Sequence, residues 1–521
     1  MTLLKQQVPR SFGSLMLCAT VWTGGQDTLA VDWTQYRGPH HDGSSPEVMR
    51  TDWNARPPRV VWKRAIDPAW SSITVQGNRA FTQGNRRIGS ENREVCIALD
   101  AETGAEVWAA NLGIADYPDA GTGSLDGPRS TPTIHGNRVY VLTSYLALHC
   151  LDSATGRVLW RRDFPEEFPG TRVISWQNAA SPLLVGDRVY LNSNVGSGSL
   201  TAIRATDGVT VWNRETDGMT HATPTWATFD GIEQVLFLTS RGLVGVVPDS
   251  GDVLWRYAFT PSGTSTAATP IAASGHVYAS CAYALGAWTA KVGRSGTDFV
   301  VTATDFRRNN AYQNHWSTPV AHEGFLYSIV ESGAPGRTLA CLSLETRLNR
   351  WTTRTVGGQN PGFASLIKVG GTVVVLTEQG RLVLVAPNPA QYEELGQFQA
   401  LTGKTWNHPA YANGRLYARS VNQIVALEIE EARPTVPPIG LSVGTPTSPA
   451  SSVTLEVSSL DGTPLTESIA TQLRLETTPT LEPLPMWSTV PSTFRVEGSQ
   501  LRTEVSVTPS GVPQFLRVRS E

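Results

Sequence analysis

One unit recurs along this chain: an Asp, then Thr-Gly three and four residues later, then Trp eight residues after the Asp. It is clearest at Asp100-Ala-Glu-Thr103-Gly104 with Trp108, and it returns at Asp152-Ser-Ala-Thr155-Gly156 with Trp160. Degenerate copies are Asp207-Gly208 with Trp212, Ser250-Gly251 with Trp255, Ser295-Gly296 with Val300 and Thr346-Arg347 with Trp351. Trp62 and Leu395 fill the same slot at the two ends. Successive slots at 62, 108, 160, 212, 255, 300, 351 and 395 lie 43 to 52 residues apart. A period of that size means stacked supersecondary units, none of which buries its apolar face alone, and it fits one four-stranded propeller blade.

A second signal runs in phase with the first. Ser/Thr-Pro, an apolar stretch, a small turn and an aromatic strand recur at 130–142, 181–191, 268–280 and 317–329, with His-Pro replacing it at 408–420. Residues 71–82 and 364–376 lack the Pro, and 222–238 has a longer turn. Gly-Asn and Gly-Asp between apolar runs are hairpin turns, because tight hairpins need positive φ. Each unit therefore reads as a hairpin, a third strand, a Thr-Gly turn and an outer strand. The Asp and Thr side chains are expected to bond within the turn, and the Trp to pack between neighbouring units. The fold class is all-β, an eight-bladed β-propeller. Trp62 precedes any complete unit and the last hairpin, ending at 424–429, has no Trp strand after it. The expectation is that an N-terminal strand near Trp62 closes the ring and removes exposed sheet edges.

The rest of the chain divides around this array. Lys5, Arg10, an apolar run over 11–22 and Thr28-Leu29-Ala30 read as an export signal over 1–30. Cys18 suggests a lipid attachment site, although Leu17 before it is too large for the usual one. The propeller is expected over 31–430, a Pro-rich linker over 431–450, and a small β-rich module over 451–521. No other run reaches the ~18 apolar residues of a membrane helix. Net charge is −3 with no basic stripe, which argues against a nucleic-acid partner. There is no C-x-x-C, and Cys96, Cys150 and Cys341 sit in hydrophobic strand-like runs; buried free thiols are expected.

The form Ala/Cys-x-Asp-x-x-Thr-Gly-x-x-x-Trp resembles the pyrroloquinoline-quinone-like (PQQ-like) propeller repeats. These occur in quinoprotein alcohol dehydrogenases and in the outer-membrane assembly factor BamB. The opening DWTQYRGPHHDG (32–43), with GPRSTPTIHGNRVYVL (127–142) and GKTWNHPAYANGRLYARS (403–420), is similar to a set of exported bacterial propellers of this kind. The resemblance covers about 32–430. It implies the fold and, for an enzyme, PQQ with Ca²⁺ over the central channel.

Propellers bind ligands where inner strands begin, here just before each Ser/Thr-Pro. The candidate residues are Trp70, Arg129, Trp176, Gln177, Asn178, His221, Asn314, His315, Trp316, Phe363, Trp406, Asn407 and His408. Aromatic walls with a few convergent polar groups are what a small-molecule site looks like. His221, His315 and His408 stand three, four and one residues before the Pro, offsets that disfavour a shared metal. Two function classes stay open. One is a non-catalytic binding or scaffold protein, exported to the periplasm or beyond, a monomer meeting an envelope protein, glycan or small molecule at the channel mouth. The other is a quinoprotein oxidoreductase, in which Arg129 and Trp176 would hold the cofactor and Asn178 would ligate Ca²⁺. Against the second, no adjacent cysteines occur and no Asp or Glu stands in the strand-entry windows, although Ca²⁺ prefers carboxylate oxygens.

Overall fold

The computed structural model describes residues 31–117, 127–261, 266–283, 285–307, 312–331 and 337–429, with separate strands in 1–30 and 439–520. The expected export signal and linker lie largely outside the described residues. Backbone contacts divide the chain into a unit over 31–430 and a second unit made of 1–30 with 431–521. In the second unit, strands Ile439–Val443, Ser452–Ser459, Gln500–Ser506 and Arg495–Glu497 form one sheet, and Ser488–Val490, Leu473–Thr478 and Phe515–Ser520 another.

The unit over 31–430 is a propeller-type array of four-stranded antiparallel sheets. In chain order, sheets 1 to 7 occupy 74–114, 133–163, 183–214, 225–258, 271–307, 320–353 and 365–399. Sheet 8 joins Ala410–Ala412, Arg415–Arg419 and Gln423–Glu428 to Arg59–Ala65, with Ala426 opposite Trp62. The Trp slot is set by three local devices. The Asp100 carboxylate accepts from the Thr103 amide and hydroxyl, both at 2.9 Å, and Asp152 holds Thr155 at 2.9 and 2.8 Å. A register shift sits beside the residue opposite each of Trp62, Trp108, Trp160, Trp212, Trp255 and Trp351; such bulges re-aim a side chain. That opposing residue is small: Ala426, Ala98, Cys150, Ala202, Gly245 and Cys341 respectively. Cys150 and Cys341 are thus steric equivalents of Ala and Gly, and Cys96, Cys150, Cys281 and Cys341 are buried free thiols.

Each indole then clamps the turn of the following sheet. Trp62 Nε1 donates to Ala101 O (2.9 Å), Trp108 to Ser153 O (3.1 Å), Trp160 to Ala205 O (3.2 Å), Trp212 to Pro248 O (2.8 Å) and Trp351 to Asn388 O (2.9 Å). Trp255 departs from this and bonds Gln234 Oε1 in its own sheet at 2.6 Å. The sheet that follows replaces the Thr-Gly turn with a long hairpin, Gly286–Ser295 paired with Asp298–Arg307.

At the inner strands, the residue at the Ser/Thr-Pro position links neighbours at several junctions. Ser72 N donates to Thr131 Oγ1 (3.1 Å), Thr131 N to Ser181 Oγ (2.9 Å), Ser181 N to Thr223 Oγ1 (3.0 Å), Thr269 N to Thr318 Oγ1 (3.0 Å) and His408 N to Ser72 Oγ (2.9 Å). The opening motif lies across the same strands. Val75 N bonds Trp33 O (2.8 Å), Ile134 N bonds Thr34 O (2.7 Å) and Leu184 N bonds Gln35 Oε1 (3.1 Å). Lys368 N bonds Gly43 O (2.8 Å), where Ser44–Ser45 pairs in parallel with sheet 7. Arg37 is 1% exposed and donates to Thr318 O and Pro319 O of sheet 6 and to Asp42 O. The motif is therefore a strap along the inner strands, bonded mainly to backbone.

Candidate functional site

The residues that precede the inner strands form two groupings at the mouth of the array. The first is aromatic. Trp70 stacks on Trp406 with ring centroids 4.4 Å apart, and Trp316 stacks on Phe363 at 4.2 Å. Trp316 also meets Trp406 at 4.6 Å, and His315 touches Trp316 and Phe363 edge-on at 4.8 and 5.2 Å. Two cations flank the stack: the Arg337 guanidinium lies 3.7 Å from the Phe363 centroid and Lys404 Nζ 4.8 Å from that of Trp406. Trp406 Nε1 donates to Glu378 at 3.0 Å, whereas the buried Trp316 Nε1 makes no hydrogen bond.

Glu331 ties the edge of this grouping together. Its carboxylate meets His315 Nδ1 at 2.6 Å and Arg337 at 2.8 Å, and it also accepts from Gln313. Burial pushes its pKa up, but the bond from His315 and the Arg337 charge outweigh that and hold it below the usual range.

The second grouping is polar. Arg129 lies 5.9 Å over the Tyr117 ring. Fully buried Glu94 accepts from the Tyr117 hydroxyl at 2.8 Å and the Ser144 amide at 3.1 Å. Burial raises the pKa of Glu94, with Ser144, Tyr117 and Arg129 opposing it. His221 is 5% exposed, and neither ring nitrogen reaches hydrogen-bond geometry. Burial, then the Arg129 charge, lowers its pKa to about 4, against backbone groups of Ser175 and Gln177 that raise it. Asn178 is spent on Thr143 O and the Ala180 backbone. Trp176 and Gln177 sit on left-handed backbone, φ 69° and 56°.

The remaining candidates are structural in their contacts. Asn314 bonds Ser328, Ile329 O and Tyr278 at 2.6 to 2.9 Å. Asn407 donates to Ser71 O at 2.7 Å. His408 meets the Tyr36 hydroxyl at 3.5 Å, and burial, then Arg37, lowers its pKa to about 3. The three histidines do not gather: among the described residues, no three His, Cys, Asp or Glu side chains are placed to hold a metal ion.

Carboxylates do reach the mouth, which corrects the expectation drawn from the strand-entry windows. Glu331 and Glu378 come from the corner between second and third strands, and Glu94 from the start of a third strand. In an antiparallel sheet these corners lie at the same end as the start of the first strand. A search of those corners for acidic residues finds them.

These donors do not fit PQQ bridged to Ca²⁺. Glu94, Glu331 and Glu378 each already serve protein donors. The rings that would sandwich a flat cofactor cover one another, with Arg337 on the face of Phe363 and Lys404 on that of Trp406.

Four-stranded sheets, Asp–Thr–Gly turns and indoles docked on the next turn together define a PQQ-like β-propeller. Residues 91–353 match the family model described as outer membrane protein assembly factor BamB, and the chain belongs to that family. BamB of Moranella endobia is 27% identical over 240 residues, covering 43% of this chain and 57% of the relative; the chain thus spans little more than half of that protein's length. Among solved structures, BamB from Moraxella catarrhalis aligns with a TM-score of 0.50 at 16% identity, over 72% of this chain and 98% of that one. Quinohemoprotein alcohol dehydrogenase from Comamonas testosteroni aligns with a TM-score of 0.57 at 14% identity, over 80% and 82%. These last two likenesses concern fold alone. Among the described residues no helix is long and apolar enough to cross a membrane.

Proposed function

We propose that this chain is an exported, eight-bladed PQQ-like propeller acting as a non-catalytic binding or scaffold module of the cell envelope. A role in assembling outer-membrane proteins, as the names of its relatives describe for them, is the version its family favours. Closure of the ring through Arg59–Ala65 is supported by three contacts across one seam. Arg59–Ala65 pairs with Gln423–Glu428, Trp62 docks on Ala101 O, and His408 N bonds Ser72 Oγ.

The observation that carries the binding reading is the aromatic stack at the mouth. Its rings are preassembled by the Trp70–Trp406 and Trp316–Phe363 stacks, and Trp316 keeps a buried indole donor with no hydrogen bond. A buried donor left unsatisfied costs about 1–3 kcal/mol, a cost that a partner's acceptor removes when the side chains over the indole shift aside. Preformed aromatic anchors with flanking cations are common at protein interfaces. The second reading, a quinoprotein, rests on the likeness of fold to the alcohol dehydrogenase.

Calorimetric titration of the purified protein with PQQ, with and without Ca²⁺, separates the two. The scaffold reading expects no saturable heat and no thermal stabilisation. Micromolar binding lost in Arg129→Ala or Trp176→Ala sinks it. For the assembly role, an unfolded outer-membrane β-barrel chain diluted from urea is the probe. Its anisotropy should rise with the wild type and less with Trp316→Ala; an equal rise with both removes the mouth from the reading.

A further inference from the structure

A cavity of about 280 Å³ lies between the loop at 37–43 and the inner strands of sheets 4 and 5, lined by His41, Trp226, Phe229, Ile271 and Ala272 among others. It reaches the hairpin turn at Ser274–Gly275, the end of the strands away from the aromatic mouth. The exposed His40 is among its lining residues. We propose that this cavity receives one extended peptide segment, held strand-wise, as the chain's own N-terminal strap is held at sheets 1, 2, 3 and 7. The inference goes beyond the mouth-binding reading and does not depend on it.

The first support is register. In sheet 1 the hairpin closes on the pair Gln76–Arg79, so Val75 pairs with Ala80 one step further in. In an antiparallel ladder bonded and non-bonded pairs alternate. Val75 is therefore non-bonded within its sheet and turns both N–H and C=O outward, where its N–H finds Trp33 O. Ile134, Leu184 and Lys368 hold the same offset from their turns, and the strap bonds each of them. Trp226 and Thr228 in sheet 4 and Ala272 in sheet 5 are the corresponding non-bonded residues. Their outward N–H and C=O groups face the cavity instead of the strap.

The second support is the shape of the strap. Between sheets 3 and 6 it leaves the strands in a clipped loop. Arg37, Gly38, His41 and Gly43 have φ of 67°, 77°, 61° and 80°, and Gly43 N bonds Arg37 O at 2.9 Å. A non-Gly residue there costs about 1–2 kcal/mol, and one of them, His41, lines the cavity. His41 Nδ1 is buried at this rim and makes no hydrogen bond. Burial holds the His41 pKa near 4, so its imidazole is neutral.

The chemistry of the lining selects the ligand. No Lys or Arg is present and Asp42 stands at the rim, so an anion is disfavoured. Alternating N–H and C=O with apolar side chains between them match a neutral peptide main chain, the mode of β-strand addition.

The test uses the full chain and the peptide acetyl-Val-Thr-Val-Thr-amide, read by hydrogen-exchange mass spectrometry. At ten times its dissociation constant the peptide should slow exchange about tenfold over 225–229 and 271–273. Segment 133–135, already bonded to the strap, should not change. The same peptide N-methylated at alternate residues should give no protection, and Ala273→Phe, which fills the cavity, should abolish binding. No slowing at millimolar peptide, or slowing that survives N-methylation, overturns the proposal. Equal protection by acetate would also overturn it, marking a carboxylate pocket. If Ala273→Phe fails to fold, the N-methylated comparison decides alone. Trp316→Ala should leave this binding intact, so failure here and failure at the mouth are distinguishable.

Discussion

The seam between sheets 8 and 1 is testable at a single glycine. Gly104 sits at φ +69°, and an added Cβ would lie 2.5 Å from Trp62 Cδ2. Gly156 is the same position one interface on, at φ +72°, with a Cβ 2.7 Å from Trp108 Cε3. Gly136, in a hairpin turn at φ +59°, has nothing within 4 Å of an added Cβ. Alanine at any of the three costs about 1–2 kcal/mol for the left-handed backbone. At Gly104 and Gly156 the overlap with the indole adds about 1–3 kcal/mol. Gly136→Ala should therefore lose about 1–2 kcal/mol, and Gly156→Ala about 2–5 kcal/mol. If Trp62 closes the ring, Gly104→Ala should match Gly156→Ala to within about 1 kcal/mol. Guanidinium unfolding followed by tryptophan fluorescence, with unchanged m-values, measures all three. A Gly104→Ala loss equal to that of Gly136→Ala would mean that Trp62 does not lie on the Asp100–Gly104 turn, and closure would be wrong.

Other substitutions probe other devices. Ser181→Ala orphans the buried Thr131 N–H and should cost about 1–3 kcal/mol, whereas Ser→Thr at the same site should cost far less by the same denaturant assay. Cys150→Leu places bulk opposite Trp160 and should destabilise by about 1–3 kcal/mol; Cys150→Ala, matching the small residue used elsewhere, should be milder. His221 has a folded pKa of about 4, below its unfolded value of about 6.5. The stability this represents is complete above pH ~6.5 and is lost as pH falls toward ~4, on the order of 3 kcal/mol in all. His221→Gln should lessen the acid-side loss in pH-dependent unfolding; an unchanged acid limb would mean that His221 is not neutral and buried.

The sheets were legible because their determinants are local. Asp100, Thr103, Gly104 and Trp108 act within nine residues, and turn chemistry of that range leaves a direct pattern. The aromatic half of the mouth was legible for a related reason, since Trp70, Trp316, Phe363 and Trp406 all precede their strands by a few positions. Glu94, Glu331 and Glu378 were not, because they arrive from another corner with no motif of their own. The strap was visible as a string, DWTQYRG, but not as a function. Trp33, Thr34 and Gly43 use main-chain atoms, which any residue supplies, so only Gln35, Arg37 and the glycines carry a trace of the arrangement. The exception at Trp255 follows from its neighbour's turn rather than from its own repeat.

The links between inner strands all run one way. In each, an amide donates forward to the hydroxyl of the next sheet, as Ser72 does to Thr131 and Thr131 to Ser181. Ser72, Thr131 and Ser181 thus each carry both a plug, the amide, and a socket, the hydroxyl. Duplicating or deleting a whole unit within the run from Ser72 to Ser181 leaves each plug opposite a socket, whereas a partial duplication there leaves an orphan amide. A lineage built from such units can gain or lose a blade within that run in single whole steps, with the same links re-forming on either side.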